Sequence, residues 1–190
     1  MEPPKNSAIN SLCQLVFLGD SITCLFDATI FSEEYSKYYA LNLGVCAHQT
    51  THVIERLENG LLDNLTPNII VVLIGVNNYG APPEYAFSGV QQIITKIHSK
   101  LPETKILLLG IFPFGQFPNT PPREHVTNVN NLIKHLSSEN VVYFDFGKDF
   151  LNDDGTIDAE IMPDYLHLSR KGYSIFANAI RDKIKHLMNV

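Results

Sequence analysis

Short apolar runs of strand length constrain the fold of this chain more than any other feature. They are Leu15 to Leu18, Tyr39 to Leu43, Ile69 to Ile74, Lys105 to Ile111 and Val141 to Phe144. A strand that is apolar on both faces needs cover on both sides, which is typical of a parallel sheet between helices, whereas half-exposed antiparallel strands alternate. The runs therefore predict a five-stranded parallel sheet.

Helical patterns lie between these runs. The segments THVIERLENGLL and EYAFSGVQQIITKIHSKL carry apolar residues at helical spacing with polar residues between them. Two more helices are predicted, from near Arg123 to Leu136 and from about Arg170 to Met188, the last with Ser169 as its N-cap. Right-handed crossovers then place helices on both faces, which gives a three-layer α/β/α domain with flavodoxin-like strand order.

The size of the chain fits one domain. With 190 residues and 45% hydrophobic content it can bury one substantial core, and two would be cramped. The Pro-rich stretch FPFGQFPNTPPRE follows the fourth strand and is better interpreted as a loop over the carboxyl edge of the sheet than as a domain boundary. We predict a single domain over residues 1–190, with residues 1–12 as an N-terminal tail.

Composition argues against two classes of partner. The net charge of -6 and the lack of a basic cluster disfavour nucleic-acid binding, and the longest apolar runs are too short to span a bilayer. The cysteines Cys13, Cys24 and Cys46 form no Cys-x-x-Cys pair and leave an odd thiol, so no disulfide framework is predicted. The N-terminus also lacks the apolar region of a signal peptide, and we expect a cytoplasmic protein. The sequence does not decide whether the protein forms a homo-oligomer.

Polar residues from three motifs are expected to meet at the carboxyl edge of the sheet. Ser21 in FLGDSIT follows the first strand and is either a nucleophile or a helix-capping residue. Asp164 and His167 in DYLH are three residues apart, so either the carboxylate orients the ring as a base for a serine or the pair is a surface histidine with an incidental acidic neighbour. Asn77 in GVNN follows the most hydrophobic strand and either donates to an oxyanion or belongs to an ordinary turn.

The order of these motifs resembles the SGNH (GDSL-type) hydrolase superfamily. Its four blocks are matched by GDSIT, NLGVCAHQT, GVNN and DYLH across nearly the whole chain. Within the superfamily the chain is most similar to the acetylhydrolases related to the catalytic subunits of brain platelet-activating-factor acetylhydrolase. The stretches LGIFPFGQFPN and PDYLHLSRKGY also resemble that branch.

The resemblance implies a serine esterase in which Ser21 attacks, His167 is the base and Asp164 orients it. It also implies an oxyanion hole made by the Ser21 backbone N–H, the Asn77 amide and a backbone N–H of the second block. The family supplies this last donor from a glycine, and here Ala47 stands at that position. A left-handed conformation there costs a residue with a Cβ roughly 1 to 2 kcal/mol.

The same motifs suggest a pocket and its substrate. His48, Asn78, Phe112 and Phe114 are the candidate lining residues, with the alternative that the two phenylalanines anchor the Pro-rich loop instead. His48 and His52 are four residues apart, but HQTTH lacks the glutamate of a zinc-protease motif and an obvious third ligand, so we predict neither a metal nor another cofactor. The expected substrate is a small, neutral or zwitterionic acyl ester.

Several activities remain open on the sequence alone. A carbohydrate O-acetylesterase, a thioesterase or a lysophospholipase would use the same catalytic residues. A binding module that has lost turnover is the alternative of another class, and Ala47 is the feature that keeps it open. A nucleotide-binding domain is disfavoured, because no glycine-rich phosphate loop follows any strand.

Overall fold

A five-stranded, all-parallel sheet forms the centre of the protein, whose computed structural model describes residues 12–189. The strands are β1 (Leu15–Gly19), β2 (Leu41–Asn42), β3 (Ile69–Leu73), β4 (Lys105–Leu109) and β5 (Val141–Phe144), in the order β2-β1-β3-β4-β5. This is the flavodoxin-like order, so the predicted sheet is confirmed. The predicted tail at residues 1–12 lies, apart from Leu12, outside the described residues.

Helices cover both faces of the sheet. They are α1 (Ser21–Cys24), α2 (Ala28–Tyr35), α3 (Thr50–Glu58), α4 (Pro83–Lys100), α5 (Pro121–Ile133) and α6 (Arg170–Met188), with single 3-10 turns at Ser36–Tyr38, Val76–Asn78, Lys134–Leu136 and Gly147–Phe150. On one face α3 packs against α4 and α4 against α5, while α2 packs against α6. Right-handed crossovers explain this division, because the chain runs outward from β1 to β2 and then back across the sheet. The three-layer α/β/α architecture is confirmed.

Two strands are shorter by at least two residues than the apolar runs that predicted them. The run at Tyr39 to Leu43 contains only β2, because a 3-10 turn precedes it and Tyr39 has a left-handed φ of 49° that a strand does not accommodate. The run at Lys105 to Ile111 ends as β4 at Leu109. Beyond it, the Asn130 side chain bonds both the N–H and the carbonyl of Ile111 and so replaces a neighbouring strand.

The last helix begins and ends where the sequence predicts. α6 spans Arg170–Met188, and the Ser169 hydroxyl accepts a hydrogen bond from the Gly172 N–H. Its buried face, which includes Phe176, Ala177 and Ile180, repeats at helical spacing and packs into the core. The loop before α6 is thereby held at the carboxyl edge of the sheet. Among residues 12–189, no helix combines the length and the apolar character that crossing a bilayer requires.

A close contact between β1 and β3 positions the loops at the carboxyl edge. A Cβ added at Gly19, the last residue of β1, would lie 2.2 Å from the backbone oxygen of Leu73, the last residue of β3. Only glycine permits this approach without displacing backbone. The loops that carry Ser21 and Asn77 therefore leave the sheet side by side.

Candidate active site

Ser21 opens the short helix α1 directly after β1. The Asp20 carboxylate caps this helix by accepting a hydrogen bond from the Ile22 N–H at 3.0 Å, so the capping role belongs to Asp20 and leaves the Ser21 hydroxyl free for another partner. Ser21 is only 7% exposed. A serine at this turn lies at the carboxyl edge of the sheet with little access to bulk water.

The partner of Ser21 is His167. Ser21 Oγ lies 2.9 Å from His167 Nε2, and His167 Nδ1 lies 2.7 Å from Asp164 Oδ2. The three predicted residues therefore form one continuous line of hydrogen bonds. In this arrangement His167 Nδ1–H donates to the carboxylate, which leaves Nε2 to accept from the serine hydroxyl.

A tight turn holds Asp164 in place. Its Oδ1 accepts from the backbone N–H groups of Leu166 and His167 at 3.1 and 2.7 Å, and Tyr165 between them has a left-handed φ of 60°. Burial is the largest single influence on the pKa of Asp164 and raises it. The hydrogen bonds from the His167 ring and from the two N–H groups act in the opposite direction and together hold this pKa below its ordinary value. The carboxylate is thus ionised at neutral pH.

The pKa of Asp20 is shifted in the opposite direction. Its side chain is 1% exposed, and burial raises its pKa to about 7 despite the hydrogen bond from Ile22 and the nearby His167 ring, which both lower it. Two carboxyl groups near the same histidine therefore differ in their ionisation, because burial dominates at Asp20 whereas hydrogen bonds together outweigh burial at Asp164.

Ala47 occupies a left-handed turn in the second block. Its φ is 62°, and on either side of it the Val45 N–H donates to the Gly19 carbonyl and the His48 N–H to the Val45 carbonyl. These bonds fix the turn beside the end of β1. A family glycine at this position would adopt this conformation without strain, whereas alanine adopts it at a cost.

Asn77 joins the second and third blocks. Its Nδ2 donates to the His48 carbonyl at 3.0 Å, and its own backbone carbonyl accepts from Gln49 Nε2 at 2.9 Å. An amide nitrogen has two protons, so one remains for another acceptor. The Asn77 amide is therefore held in a fixed orientation beside the Ala47 turn.

Two of the predicted lining residues serve the core instead. Asn78 is 2% exposed, and its side chain bonds the Thr50 N–H and hydroxyl at the start of α3, so it anchors a helix and does not line a pocket. Phe112 is 1% exposed and packs in an aromatic cluster with Phe146, Phe150 and Phe176. The prediction was wrong for both, because the sequence places a residue in a loop without fixing the direction of its side chain.

Phe114 and His48 are more accessible. Phe114 contacts Tyr79 edge to face, with ring centroids 5.4 Å apart, and Tyr79 is 46% exposed. The His48 ring stacks on His52 at 5.0 Å, and burial lowers the pKa of His48. Among the residues that the structure describes, no three His, Cys, Asp or Glu side chains are arranged to hold a metal ion.

Two hydrogen bonds that hold the site in place could not be predicted from the sequence. The buried Tyr173 of α6 donates from its hydroxyl to the Ile22 carbonyl at 2.8 Å, which ties the last helix to the turn that carries Ser21. The Gly115 N–H donates to the Tyr165 carbonyl at 2.8 Å, which ties the Pro-rich loop to the DYLH turn. A tyrosine on the apolar face of an amphipathic helix indicates only a core residue.

The comparisons with known proteins agree with this geometry. The model of the GDSL-like Lipase/Acylhydrolase family matches residues 17–175, far more than half of the chain. The chain belongs to this family. The resemblance inferred from the four motifs is confirmed, and the protein is a GDSL-type hydrolase.

Relatives and solved structures extend this assignment. This GDSL-type chain is 38% identical over 178 residues to the platelet-activating factor acetylhydrolase IB subunit alpha1 of Bos taurus, covering 92% of this chain and 76% of the relative. A GDSL-like lipase from Bacteroides thetaiotaomicron has a TM-score of 0.76 at 18% identity, covering 98% of this chain and 92% of that one. An acetylxylan esterase from Geobacillus stearothermophilus has a TM-score of 0.71 at 19% identity, covering 93% and 95%. At such identities, these two structures show the fold.

Proposed function

We propose that this protein is a serine esterase that hydrolyses small, acetyl-type acyl esters through an acyl-enzyme intermediate. The observation that carries the proposal is the unbroken line from Ser21 Oγ to His167 Nε2 at 2.9 Å and from His167 Nδ1 to Asp164 Oδ2 at 2.7 Å. A weak nucleophile, a base and an orienting carboxylate in this relation are the requirements of nucleophilic catalysis by serine.

The proposed reaction has two steps. Ser21 Oγ attacks the ester carbonyl while His167 Nε2 takes its proton, and the alcohol leaves with that proton. Water then loses a proton to His167 and attacks the acyl-enzyme, which frees the acid and restores the Ser21 hydroxyl. Protein groups and water supply every step, so the proposed reaction requires no cofactor.

We assign the stabilisation of the oxyanion to three donors. They are the backbone N–H groups of Ser21 and Ala47 and the second amide proton of Asn77, whose first proton is held by the His48 carbonyl. Donors that are oriented before the reaction stabilise a developing charge without reorganisation. The left-handed φ of Ala47 supports the proposal that this turn presents an N–H as a glycine would.

The preference for a small acyl group rests on the relatives. The Bos taurus relative is an acetylhydrolase subunit, and the Geobacillus stearothermophilus structure is an acetylxylan esterase. Acetyl is the acyl group common to both names. A carbohydrate O-acetylesterase is the second candidate, favoured by the second of these names.

The surroundings of the enzyme are part of the proposal. Cys13, Cys24 and Cys46 are free thiols, which fits a reducing compartment, and we place the protein in the cytoplasm as a single-domain enzyme. The net charge of -6 supports an uncharged or zwitterionic ester over an anionic polymer as substrate.

The test is hydrolysis of p-nitrophenyl acetate, butyrate and octanoate by the wild type and by Ser21→Ala, His167→Ala and Asp164→Asn. We expect the acetate to be the best substrate and each substitution to lower kcat by about 10⁴-fold, since the three groups act as a unit. Circular dichroism verifies that each variant is folded.

Ser88→Ala and His186→Ala are matched controls, because both side chains are exposed on helices and neither forms a hydrogen bond with Ser21, His167 or Asp164. They should keep wild-type turnover. Turnover that persists in Ser21→Ala would contradict the mechanism. A preference for octanoate would favour a lysophospholipase or thioesterase. A wild type that is folded but inactive would favour the binding module.

A further inference from the structure

Two exposed thiols flank the proposed oxyanion turn. Cys24 is the last residue of α1, one turn beyond Ser21, and Cys46 directly precedes Ala47. Neither has a part in the proposed reaction. Cys13 differs from both, because it is 2% exposed and its Sγ donates to the Leu15 carbonyl.

The backbone brings these two cysteines together across 22 positions of sequence. A Cβ added at Gly44 would lie 2.4 Å from the Cys24 backbone nitrogen, so the second block runs directly along the end of α1. Asn42 Nδ2 donates to the Thr23 carbonyl at 2.6 Å, and the Val45 N–H donates to the Gly19 carbonyl at 3.1 Å. These bonds fix the segment before Cys46 on both sides of its contact with α1.

The electrostatics agree with facing thiols. Burial raises the pKa of Cys46 most, and a hydrogen bond and charge repulsion from the Cys24 side chain raise it further. Since the thiolate is the reactive form, Cys46 is the poorer first nucleophile at neutral pH. We assign the first attack to Cys24 and the resolving step to Cys46, and the reverse order would give the same disulfide.

We propose that Cys24 and Cys46 are an oxidative modification site, at which hydrogen peroxide converts the two thiols into a reversible disulfide that lowers the esterase activity. The Cys24 thiolate attacks the peroxide, an S–O bond forms as the O–O bond breaks, and the departing oxygen leaves as water. The Cys46 thiolate then attacks the sulfenic sulfur, the S–S bond forms and the S–O bond breaks, releasing a second water. The two thiols lose two electrons and the peroxide gains them.

The disulfide affects catalysis through the Ala47 turn. An S–S bond is about 2.05 Å long, far shorter than the non-bonded contact of two thiols, so Cys46 must move toward α1 when it forms. Ala47 follows Cys46 directly and already holds a left-handed φ of 62°, so a movement of Cys46 is passed on to the Ala47 backbone. Its N–H is then displaced from the oxyanion. Loss of one such donor typically lowers kcat by about 10²- to 10³-fold.

The test exposes the wild type to hydrogen peroxide, alkylates the remaining thiols and maps tryptic peptides by mass spectrometry. Cleavage after Lys5, Lys37 and Arg56 gives peptides 6–37 and 38–56, and we expect them to be linked with a loss of two hydrogens. Because peptide 6–37 also contains Cys13, fragmentation and Cys13→Ser assign the link. Cys13→Ser should retain the link, whereas Cys24→Ser and Cys46→Ser should abolish it.

Activity provides the second measurement, and this part alone rests on the proposed function. Oxidised wild type should hydrolyse p-nitrophenyl acetate at least tenfold more slowly and recover in dithiothreitol, while Cys24→Ser under the same peroxide should keep its rate. Absence of the link, a link through Cys13, or a complete link with unchanged activity would overturn the proposal. A wild type that is inactive before oxidation contradicts the proposed function instead, and the peptide map then decides whether the disulfide forms.

Discussion

Ala47 holds a left-handed backbone, φ 62°, at the turn where the second block meets the end of β1. For a residue with a Cβ this conformation costs about 1 to 2 kcal/mol, and glycine adopts it without that cost. Strain of this kind persists where surrounding contacts impose it, and here the bonds of Val45 and His48 do so.

Substitution of Ala47 by glycine is therefore expected to stabilise the protein. Relief of the left-handed strain exceeds the entropy that glycine adds to the unfolded chain, and we expect the free energy of unfolding to rise by about 0.5 to 1 kcal/mol. Turnover of p-nitrophenyl acetate should stay equal or rise, since the backbone N–H remains. Urea denaturation and steady-state kinetics measure the two effects.

Ala81→Gly is the matched control for this substitution. Ala81 also lies in a loop, but it is not among the residues with positive φ. Glycine there only adds freedom to the unfolded chain, so the free energy of unfolding should fall by about 0.4 to 1 kcal/mol. Equal losses in both variants would contradict the idea that Ala47 is strained.

At the scale of residues, the sequence predicts which residues lie near the site better than it predicts where their side chains point. Ser21, Asp164 and His167 were identified because each follows a strand or precedes the last helix in a fixed order, and the structure brings them into one line. Asn78 and Phe112 were assigned wrongly to a pocket, because both lie in the right loops while their side chains turn into the core. Direction depends on packing that a single sequence does not contain.

Among the elements, α6 does more than cover the sheet. The Tyr173 hydroxyl of this helix donates to the Ile22 carbonyl inside α1, and both groups are buried. A buried carbonyl that loses its donor incurs a desolvation penalty. The contact between α6 and α1 thus couples the position of the Ser21 turn to the packing of the last helix.

Tyr173→Phe should destabilise the protein by about 1 to 2 kcal/mol and lower kcat several-fold, because the Ile22 carbonyl is left unpaired. Tyr35→Phe is the matched comparison, since the Tyr35 hydroxyl is buried without a partner among the described residues. Removing an unpaired hydroxyl should be neutral or stabilise the protein by about 1 kcal/mol. Guanidinium denaturation of both variants tests the contrast, and similar losses in both would contradict it.

The elements themselves were largely predictable, with one instructive exception. β3 and α6 were identified almost to their ends, because an apolar run and an amphipathic pattern each have one interpretation at that length. β2, at the edge of the sheet, comprises only Leu41–Asn42, because Tyr39 has a left-handed backbone that interrupts the apolar run. Edge strands have one neighbour, so local turn geometry overrides the hydrophobic pattern more easily there.

At the scale of the whole molecule, one buried carboxyl group makes folding depend on pH. Burial raises the pKa of Asp20 to about 7 from an ordinary value of 3.8. The folded state therefore binds this proton more tightly than the unfolded state does. The stability that results is fully present below about pH 4 and is lost as the pH rises to about 7.

Asp20→Asn should remove this loss, because the amide cannot ionise and its oxygen can still accept from the Ile22 N–H. Between pH 5 and 8 the free energy of unfolding of the wild type should fall relative to that of Asp20→Asn by about 1 to 3 kcal/mol. Urea denaturation of both proteins at the two pH values gives this difference, since the contributions of all other groups cancel.

A carboxylate whose pKa is shifted in the opposite direction provides the control. A hydrogen bond from the Thr156 hydroxyl, followed by one from the Thr156 N–H, lowers the pKa of Asp154. Its contribution is present above its ordinary pKa and lost only in acid, so Asp154→Asn should show no relative change between pH 5 and 8. If Asp20→Asn behaves in the same way, Asp20 is ionised at neutral pH and the assignment is wrong.

The Ser21–His167 hydrogen bond joins groups that lie 146 positions apart along the chain. A chain in which the sheet has formed but α6 has not docked would have its nucleophile in place but not its base, because His167 lies directly before that helix. We expect recovery of ester hydrolysis during refolding to lag behind recovery of the sheet, so that the onset of turnover marks the arrival of the last helix.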